Sequence, residues 1–387
     1  MSPFAMSLLL VVSLSIFAWL IRRRWRLMCI GPDENRWDQL AERLKRTYHY
    51  AFRQKRMPRY TWAGHAHRII FIGFLVLLLR SLILFARGYS REFDAWGLFA
   101  HDTILGDGYS FLKDFFAILV ILATTVFIYY RVIIRLKRMT LSFEGLLILL
   151  IIITMMFADL LYDGSSRVLA GAGGEPAFAW SEPAGSIVSL CLAGTGEGTL
   201  RVLAHVGFWT HVSLVLLFLN LLPISKHFHV ITAIPNVFTQ SLAPRGRLPN
   251  VEDIEAKIER EETLGLARID QMNWKGVLDL YTCTECGRCT DQCPAANTGK
   301  KLSPKHLTLD LRDHLYAYEK KLITAGENGT RDLAPAVIDP EVLWACTTCG
   351  ACETECPVFI TYVDKIVDMR RYLVMEKSEF PAELQNA

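Results

Sequence analysis

The sequence predicts an all-α protein: a five-helix transmembrane bundle followed by an all-α domain built around two iron–sulfur clusters. Three observations predict it. Five apolar runs lie before residue 225. The cysteine pattern C-x2-C-x2-C-x3-C-P occurs twice after residue 280. A stretch with helical periodicity separates the two copies.

The apolar runs cover roughly 4–20, 69–87, 113–134, 143–162 and 201–224. Each is close to the ~20 residues that carry a helix across a bilayer. Helices are expected because lipid offers the backbone no hydrogen-bond partner. The first run does not read as a cleaved leader. Its arginines, Arg22, Arg23, Arg24 and Arg26, follow the apolar stretch, whereas a leader carries them ahead. It reads as a retained helix with its N-terminus outside.

Loop charge sets the topology. Residues 21–68 hold thirteen Lys and Arg, and the loop after the third run holds Arg135, Lys137 and Arg138. The segments 88–112 and 163–200 are poor in basic residues. By the positive-inside rule the first two are cytoplasmic and the last two external. Everything after residue 225 is then cytoplasmic. The net charge of +3 conceals this asymmetry. The basic residues flank apolar spans, so nothing points to a nucleic-acid surface. The expected divisions are 1–60 (first span and basic segment), 61–240 (membrane domain), 241–275 (linker) and 276–387 (cluster domain).

Eight of the ten cysteines form the two motif copies. The first is Cys283, Cys286, Cys289 and Cys293 before Pro294. The second is Cys346, Cys349, Cys352 and Cys356 before Pro357. This spacing wraps 4Fe–4S clusters, with the fourth cysteine of each copy ligating the other cluster. Cys283, Cys286, Cys289 and Cys356 are therefore assigned to one cluster, and Cys346, Cys349, Cys352 and Cys293 to the other. Structural zinc uses two well-separated C-x2-C knuckles, a poorer fit. Disulfides are a worse one in a reducing compartment. Cys29 and Cys191 stand alone and read as ordinary thiols.

Histidine is rare inside a bilayer and functional there by default. His65 and His67 lie at the cytoplasmic mouth of the second span. The fifth span carries His205 and His211, with His227 and His229 at its cytoplasmic end. A haem held by two histidines needs imidazoles from different helices. The cytoplasmic-side pair is His67, with His65 as its alternative, and His229 or His227. Treated as one helix, His211 and His229 are five turns apart and share a face, about 27 Å apart along the axis. His205 and His227 share another. An outer haem would use His211 or His205, and the remaining histidine on that side is His101. One haem b is the expectation, a second the alternative. The bland account is interfacial histidines satisfied by water. Arg80 lies mid-span and needs a partner: a haem propionate or a quinone carbonyl would serve. Asp159 near the outer end of the fourth run is the second quinone-site candidate. Gly194, Gly196 and Gly198 follow no strand, so a nucleotide loop is discarded.

In the cytoplasmic half, prolines punctuate residues 225–250. Val251–Leu266 has a helical pattern. Ser303-Pro304 is a helix start, serine as cap and proline in the first turn, running to Leu322. Val363–Met375 is the last expected helix.

Residues 283–357 resemble the two-cluster module of the heterodisulfide reductase family, shared with anaerobic glycerol-3-phosphate dehydrogenase C-type subunits. Residues 60–240 resemble the haem b subunit of respiratory nitrate reductase. The run Leu222-Pro-Ile-Ser-Lys-His227-Phe-His229 is similar to the end of its haem helix. The order of the two parts resembles the membrane-bound electron-transfer-flavoprotein:menaquinone oxidoreductases. That resemblance implies an oxidoreductase subunit of the bacterial cytoplasmic membrane, with menaquinone as substrate and an electron-transfer flavoprotein as donor. Those proteins continue into a domain with two CCG motifs, whereas this chain stops at Ala387. The expectation is that the domain sits on a separate catalytic subunit or that the chain is truncated. The competing functions are a redox sensor or structural iron–sulfur membrane protein, and a heterodisulfide-reductase-like thiol/disulfide subunit.

Overall fold

The computed structural model describes residues 2–100, 103–171, 178–244, 246–251, 253–325 and 330–384. Among them the regular structure is helical, with no strand. The helices are α1 (Pro3–Met28), α2 (Leu40–Thr47), α3 (Thr61–Arg87), α4 (Ile104–Tyr129), α5 (Phe143–Ala170), α6 (Pro183–Cys191), α7 (Glu197–Leu221), α8 (His229–Phe238) and α9 (Ile254–Glu259). They continue with α10 (Trp274–Thr282), α11 (Arg288–Asp291), α12 (Pro294–Asn297), α13 (Pro304–Ala317), α14 (Glu319–Ala325), α15 (Pro340–Trp344), α16 (Ala351–Glu355) and α17 (Val363–Arg371).

Five helices are long and apolar enough to cross a membrane: Pro3–Met28, Thr61–Arg87, Ile104–Ile134, Phe143–Ala170 and Glu197–Ile224. All five expected runs are present, and most are longer than their apolar cores. α1 continues through Arg22–Arg26, because arginine is a good helix former. α4 begins at Ile104 because Thr103 caps it, its hydroxyl accepting the Gly106 N–H at 3.0 Å. α5 begins after Ser142, which accepts from Gly145 N–H at 3.3 Å. α6 was not expected, since its segment carries too few apolar residues to stand out as a span.

The chain forms two compact units. The first comprises residues 1–19, 57–136 and 141–221, and the second 20–56, 137–140 and 222–387. Within the first, α5 is central: 56% of its apolar window is buried, against 33% or less in the other spans. α7 packs along it. A Cβ at Gly207 would fall 2.7 Å from the Ala158 carbonyl, so only glycine permits that approach.

The second unit has its own core, including Leu27, Phe228, Leu280, Leu307, Leu311, Leu343 and Met369. Ser303 caps α13 as expected, accepting from His306 N–H at 3.3 Å. The helix breaks at Tyr318 instead of running unbroken to Leu322. The expected helix over Val251–Leu266 is reduced to Ile254–Glu259. Glu261 takes a positive φ of 54°, and the Leu266 N–H leaves the helix for the Asp368 carbonyl at 2.9 Å. The final helix runs from Val363 through Arg371 into a wider turn over Tyr372–Glu376.

A further expectation fails. α7 does not continue to His229. Pro223 lies in a short turn after it, and Ser225 is extended, with φ −124° and ψ 167°. The Ser225 hydroxyl caps the next turn, accepting from His227 N–H at 3.1 Å. His229 then opens α8. The helical alignment of His211 with His229, and of His205 with His227, therefore does not hold.

Candidate functional site

The two cysteine loops repeat one backbone. The first is left-handed at Glu285 (φ 59°) and Gly287 (φ 75°), the second at Thr348 (φ 55°) and Gly350 (φ 68°). Such alternation turns successive N–H groups toward one point, a concavity suited to an anionic cluster. The Thr348 amide donates to Cys346 Sγ at 3.4 Å, and the Glu285 amide bonds Cys283 likewise. Each loop enters a short helix whose N-cap is the glycine, α11 after Gly287 and α16 after Gly350. These helices pack on each other.

The fourth cysteines cross over. Cys293 lines one cavity with Cys346, Cys349 and Cys352. Cys356 is packed with Cys283 and Cys289, against Ile360 and Tyr362, and lies beside Cys286. Cys352 adjoins this second group, so the two sets are neighbours. Among the described residues no three His, Cys, Asp or Glu side chains are grouped as one metal ion needs.

Burial pushes the thiols upward: Cys289 to about 12 and Cys356 to about 11, with Cys283 and Cys352 raised as well. A buried thiolate needs a cation to offset desolvation, and bound iron supplies it. The donor set thus fits two 4Fe–4S clusters. Arginines brace the loops through backbone carbonyls. Arg138 donates to the Cys286 carbonyl at 2.6 Å, Arg56 to that of Cys356 at 2.5 Å, and Arg370 to that of Cys346 at 2.6 Å.

Behind these loops lies Asp279, fully buried on α10. Its carboxylate pairs with Lys275 at 2.5 Å and Lys365 at 2.6 Å. It also accepts from Thr361 Oγ1 at 2.7 Å and from Asn236 Nδ2 at 3.1 Å. Burial alone would raise its pKa; the two lysines outweigh that and hold it well below the usual carboxylate range. This hub joins α8, α10, α17 and the segment after Cys356. Sequence reasoning missed it; the available signal was the four-residue spacing of Lys275 and Asp279 on the largely apolar α10.

The first unit contains a second buried ion cluster. Arg80, singled out as a partner for a haem propionate or a quinone carbonyl, donates from Nε to Asp159 Oδ1 at 2.9 Å and also pairs with Asp163. Lys113 pairs with Asp163, with Asp114 at 3.2 Å and with Glu182 at 3.7 Å; Glu182 meets Arg167 at 2.8 Å. The sequence singled out Arg80 and Asp159 separately. It missed Asp163, which seemed to lie just beyond the span. The available signal was the four-residue spacing of Asp159 and Asp163 on one helix face.

The histidines are dispersed. His211 is buried, its Nδ1 3.1 Å from the Met155 carbonyl and its Nε2 3.2 Å from Ser81 Oγ. Ser81 is fourteen residues along α3 from His67, about 21 Å at helical rise. His67 is thus remote from His211, and α4 and α5 carry no histidine. His101 lies outside the described residues. The described residues therefore do not supply a second imidazole for a haem at His211. His205 is half-buried and His65 exposed. His67 falls in the first unit and His229 in the second. His229 Nδ1 lies 3.2 Å from the Lys226 carbonyl, and burial pushes the ring down to about 4. A neutral ring with Nδ1 anchored to a carbonyl is the usual state of a metal-bound histidine. His229 thus fits a haem ligand in its chemistry, and His227 lies 5.9 Å from it between ring centroids.

The eight thiols thus form two neighbouring sets suited to 4Fe–4S clusters, on a chain with five candidate membrane spans. Residues 282–360 match the 4Fe-4S dicluster domain family. The chain is 31% identical over 406 residues to the probable iron-sulfur-binding oxidoreductase FadF of Bacillus subtilis, covering 96% of this chain and 56% of that one. It is 28% identical over 407 residues to the EtfAB:quinone oxidoreductase of Syntrophomonas wolfei, covering 98% of this chain and 56% of the relative. One component of a CoB-CoM heterodisulfide reductase of Methanosarcina acetivorans is 32% identical over 105 residues, covering 27% of this chain and 52% of the relative. The chain thus spans little more than half the length of the first two relatives. No solved structure matches it.

Proposed function

We propose that the protein is an electron-transfer oxidoreductase subunit of the bacterial cytoplasmic membrane, passing electrons between a cytoplasmic redox partner and menaquinone. The observation that carries this reading is the doubled, crossed cysteine set in a chain with five apolar spans. Relatives named as an iron-sulfur-binding oxidoreductase and an EtfAB:quinone oxidoreductase support it. An electron-transfer flavoprotein is the proposed donor, and a separate subunit with CCG motifs the proposed catalytic partner. The iron–sulfur domain faces the cytoplasm, following the basic loops.

When bound, the two 4Fe–4S clusters and one haem b supply one-electron steps between the soluble donor and the quinone. Cys283, Cys286, Cys289 and Cys356 hold one cluster; Cys346, Cys349, Cys352 and Cys293 hold the other. His67 and His229 are the proposed haem ligands, with His65 and His227 as their alternates. Arg80 and Asp159 are the proposed polar groups of the quinone region.

The test is purified full-length chain from haem-replete cells. It should bleach as a 4Fe–4S chromophore, show a b-haem α-band and oxidise a menaquinol analogue or reduce the quinone. Loss of the α-band removes the haem, and clusters that titrate without quinone turnover remove the quinone. Cys293→Ala should abolish the cluster built on Cys346, Cys349 and Cys352 and spare the other. Iron analysis and EPR showing the reverse would refute the crossed ligation.

A further inference from the structure

The two cysteine loops share a backbone but not an environment. Along the first six positions of the motif, the first copy is the more covered at every step. Cys283 is buried where Cys346 is half-buried. Thr284 is half-buried where Thr347 is exposed, and Cys286 is half-buried where Cys349 is exposed.

The cover over the first loop is specific. Arg138 lies across it: its carbonyl would stand 1.9 Å from a Cβ on Gly287, and its guanidinium holds the Cys286 carbonyl. Glu285 is clamped by Arg312 at 2.8 Å and Lys226 at 3.4 Å. At Gly350, the equivalent of Gly287, nothing lies within 4 Å of the same point. Over these six positions one loop is roofed and the other open; beyond them the order reverses, with Asp291, Gln292 and Pro294 exposed where Thr354, Glu355 and Pro357 are half-buried.

We propose that the open set, Cys346, Cys349, Cys352 and Cys293, is the port through which the protein exchanges electrons with a soluble redox protein. The roofed set is the interior relay. This rests on the reading of the eight cysteines as ligands of two 4Fe–4S clusters. The exchange is an outer-sphere, one-electron step: the carrier loses one electron, the port gains one, and no bond forms or breaks. The reverse step runs through the same atoms. The partner is a carrier with its flavin or iron–sulfur group near its own surface, because the two groups must approach closely. The Thr347–Gly350 loop is the surface on which it must land.

The experiment uses purified full-length chain and a reduced ferredoxin as the soluble donor, with cluster reduction followed by stopped flow. Thr347→Trp places bulk on the exposed loop without touching a ligand. It should slow reduction by ferredoxin at least about tenfold, the smaller end of what one interface substitution does to association. Iron content and both EPR signals should be unchanged. Cys349→Ala should remove the open cluster and with it rapid reduction by ferredoxin, while a small viologen still reduces the remaining cluster. Unchanged ferredoxin kinetics in both variants would overturn the assignment. A wild-type chain that binds no iron–sulfur cluster would overturn the underlying reading instead.

Discussion

The two units each bury an ion cluster, and they do so in opposite proportions. In the second unit one carboxylate, Asp279, serves two ammonium groups, Lys275 and Lys365. In the first, two cations, Arg80 and Lys113, serve four carboxylates, Asp114, Asp159, Asp163 and Glu182. The first arrangement is a single knot tying segments distant in sequence. The second is a chain of pairs crossing α3, α4 and α5. A knot fails when its centre is removed, whereas a chain fails by the link. The contrast also explains which was readable: a lone charge in a long apolar run demands a partner, whereas Asp279 has Lys275 one turn away on its own short helix.

The largest expected effect is at the knot. Asp279→Ala strands two buried lysines, Asn236 and Thr361, and should cost roughly 3–5 kcal/mol. Denaturant unfolding of detergent-solubilised protein would measure it, and a loss under about 1 kcal/mol would mean the lysines find other partners. Arg80→Leu breaks one link of the chain. It leaves Asp159 alone while Asp163 keeps Lys113, so a cost of about 3 kcal/mol, the lower end for a broken buried pair, is expected. An Arg80 variant less stable than the Asp279 variant would invert the comparison.

The pH dependence sharpens the knot further. Asp279 has its pKa lowered in the folded state, because the lysines outweigh burial. Its contribution is therefore fully present above the unfolded carboxylate value and declines as pH falls toward the folded one. Asp279→Asn should flatten the acid limb of the stability–pH curve. A limb equally steep in the variant would assign the acid loss to other carboxylates.

The smallest effects separate the two loops. Gly350→Ala adds a Cβ in open space at positive φ, a cost of about 1–2 kcal/mol. Gly287→Ala adds the same strain and a collision with the Arg138 carbonyl. It should cost more than its counterpart, with a selective loss of the Cys283-containing cluster seen by EPR. Equal costs would mean that the roof over the first loop yields freely.

The five long apolar helices were legible because about twenty apolar residues in a row have few other uses. Their ends were not, since Thr103 and Ser142 set them by capping geometry and not by hydropathy. The grouping of the thiols, with Cys293 beside the second loop and Cys356 beside the first, was legible because motif spacing encodes loop geometry. The unequal cover over the two loops was not, because Arg138 and Lys226 reach the first from far away in sequence. The phase between His211 and His229 misled for a local reason: Pro223 and Ser225 interrupt the helix on which the count depended.

The second unit draws Leu20–Arg56 and Lys137–Thr140 from between the apolar spans. Arg56 and Arg138, which hold the carbonyls of Cys356 and Cys286, come from those two stretches. A gene fragment encoding 276–387 alone would therefore carry all eight cysteines and lack part of their scaffold. The cysteine domain is not a portable cassette: grafted onto another anchor or expressed alone, it would need those two stretches supplied as well.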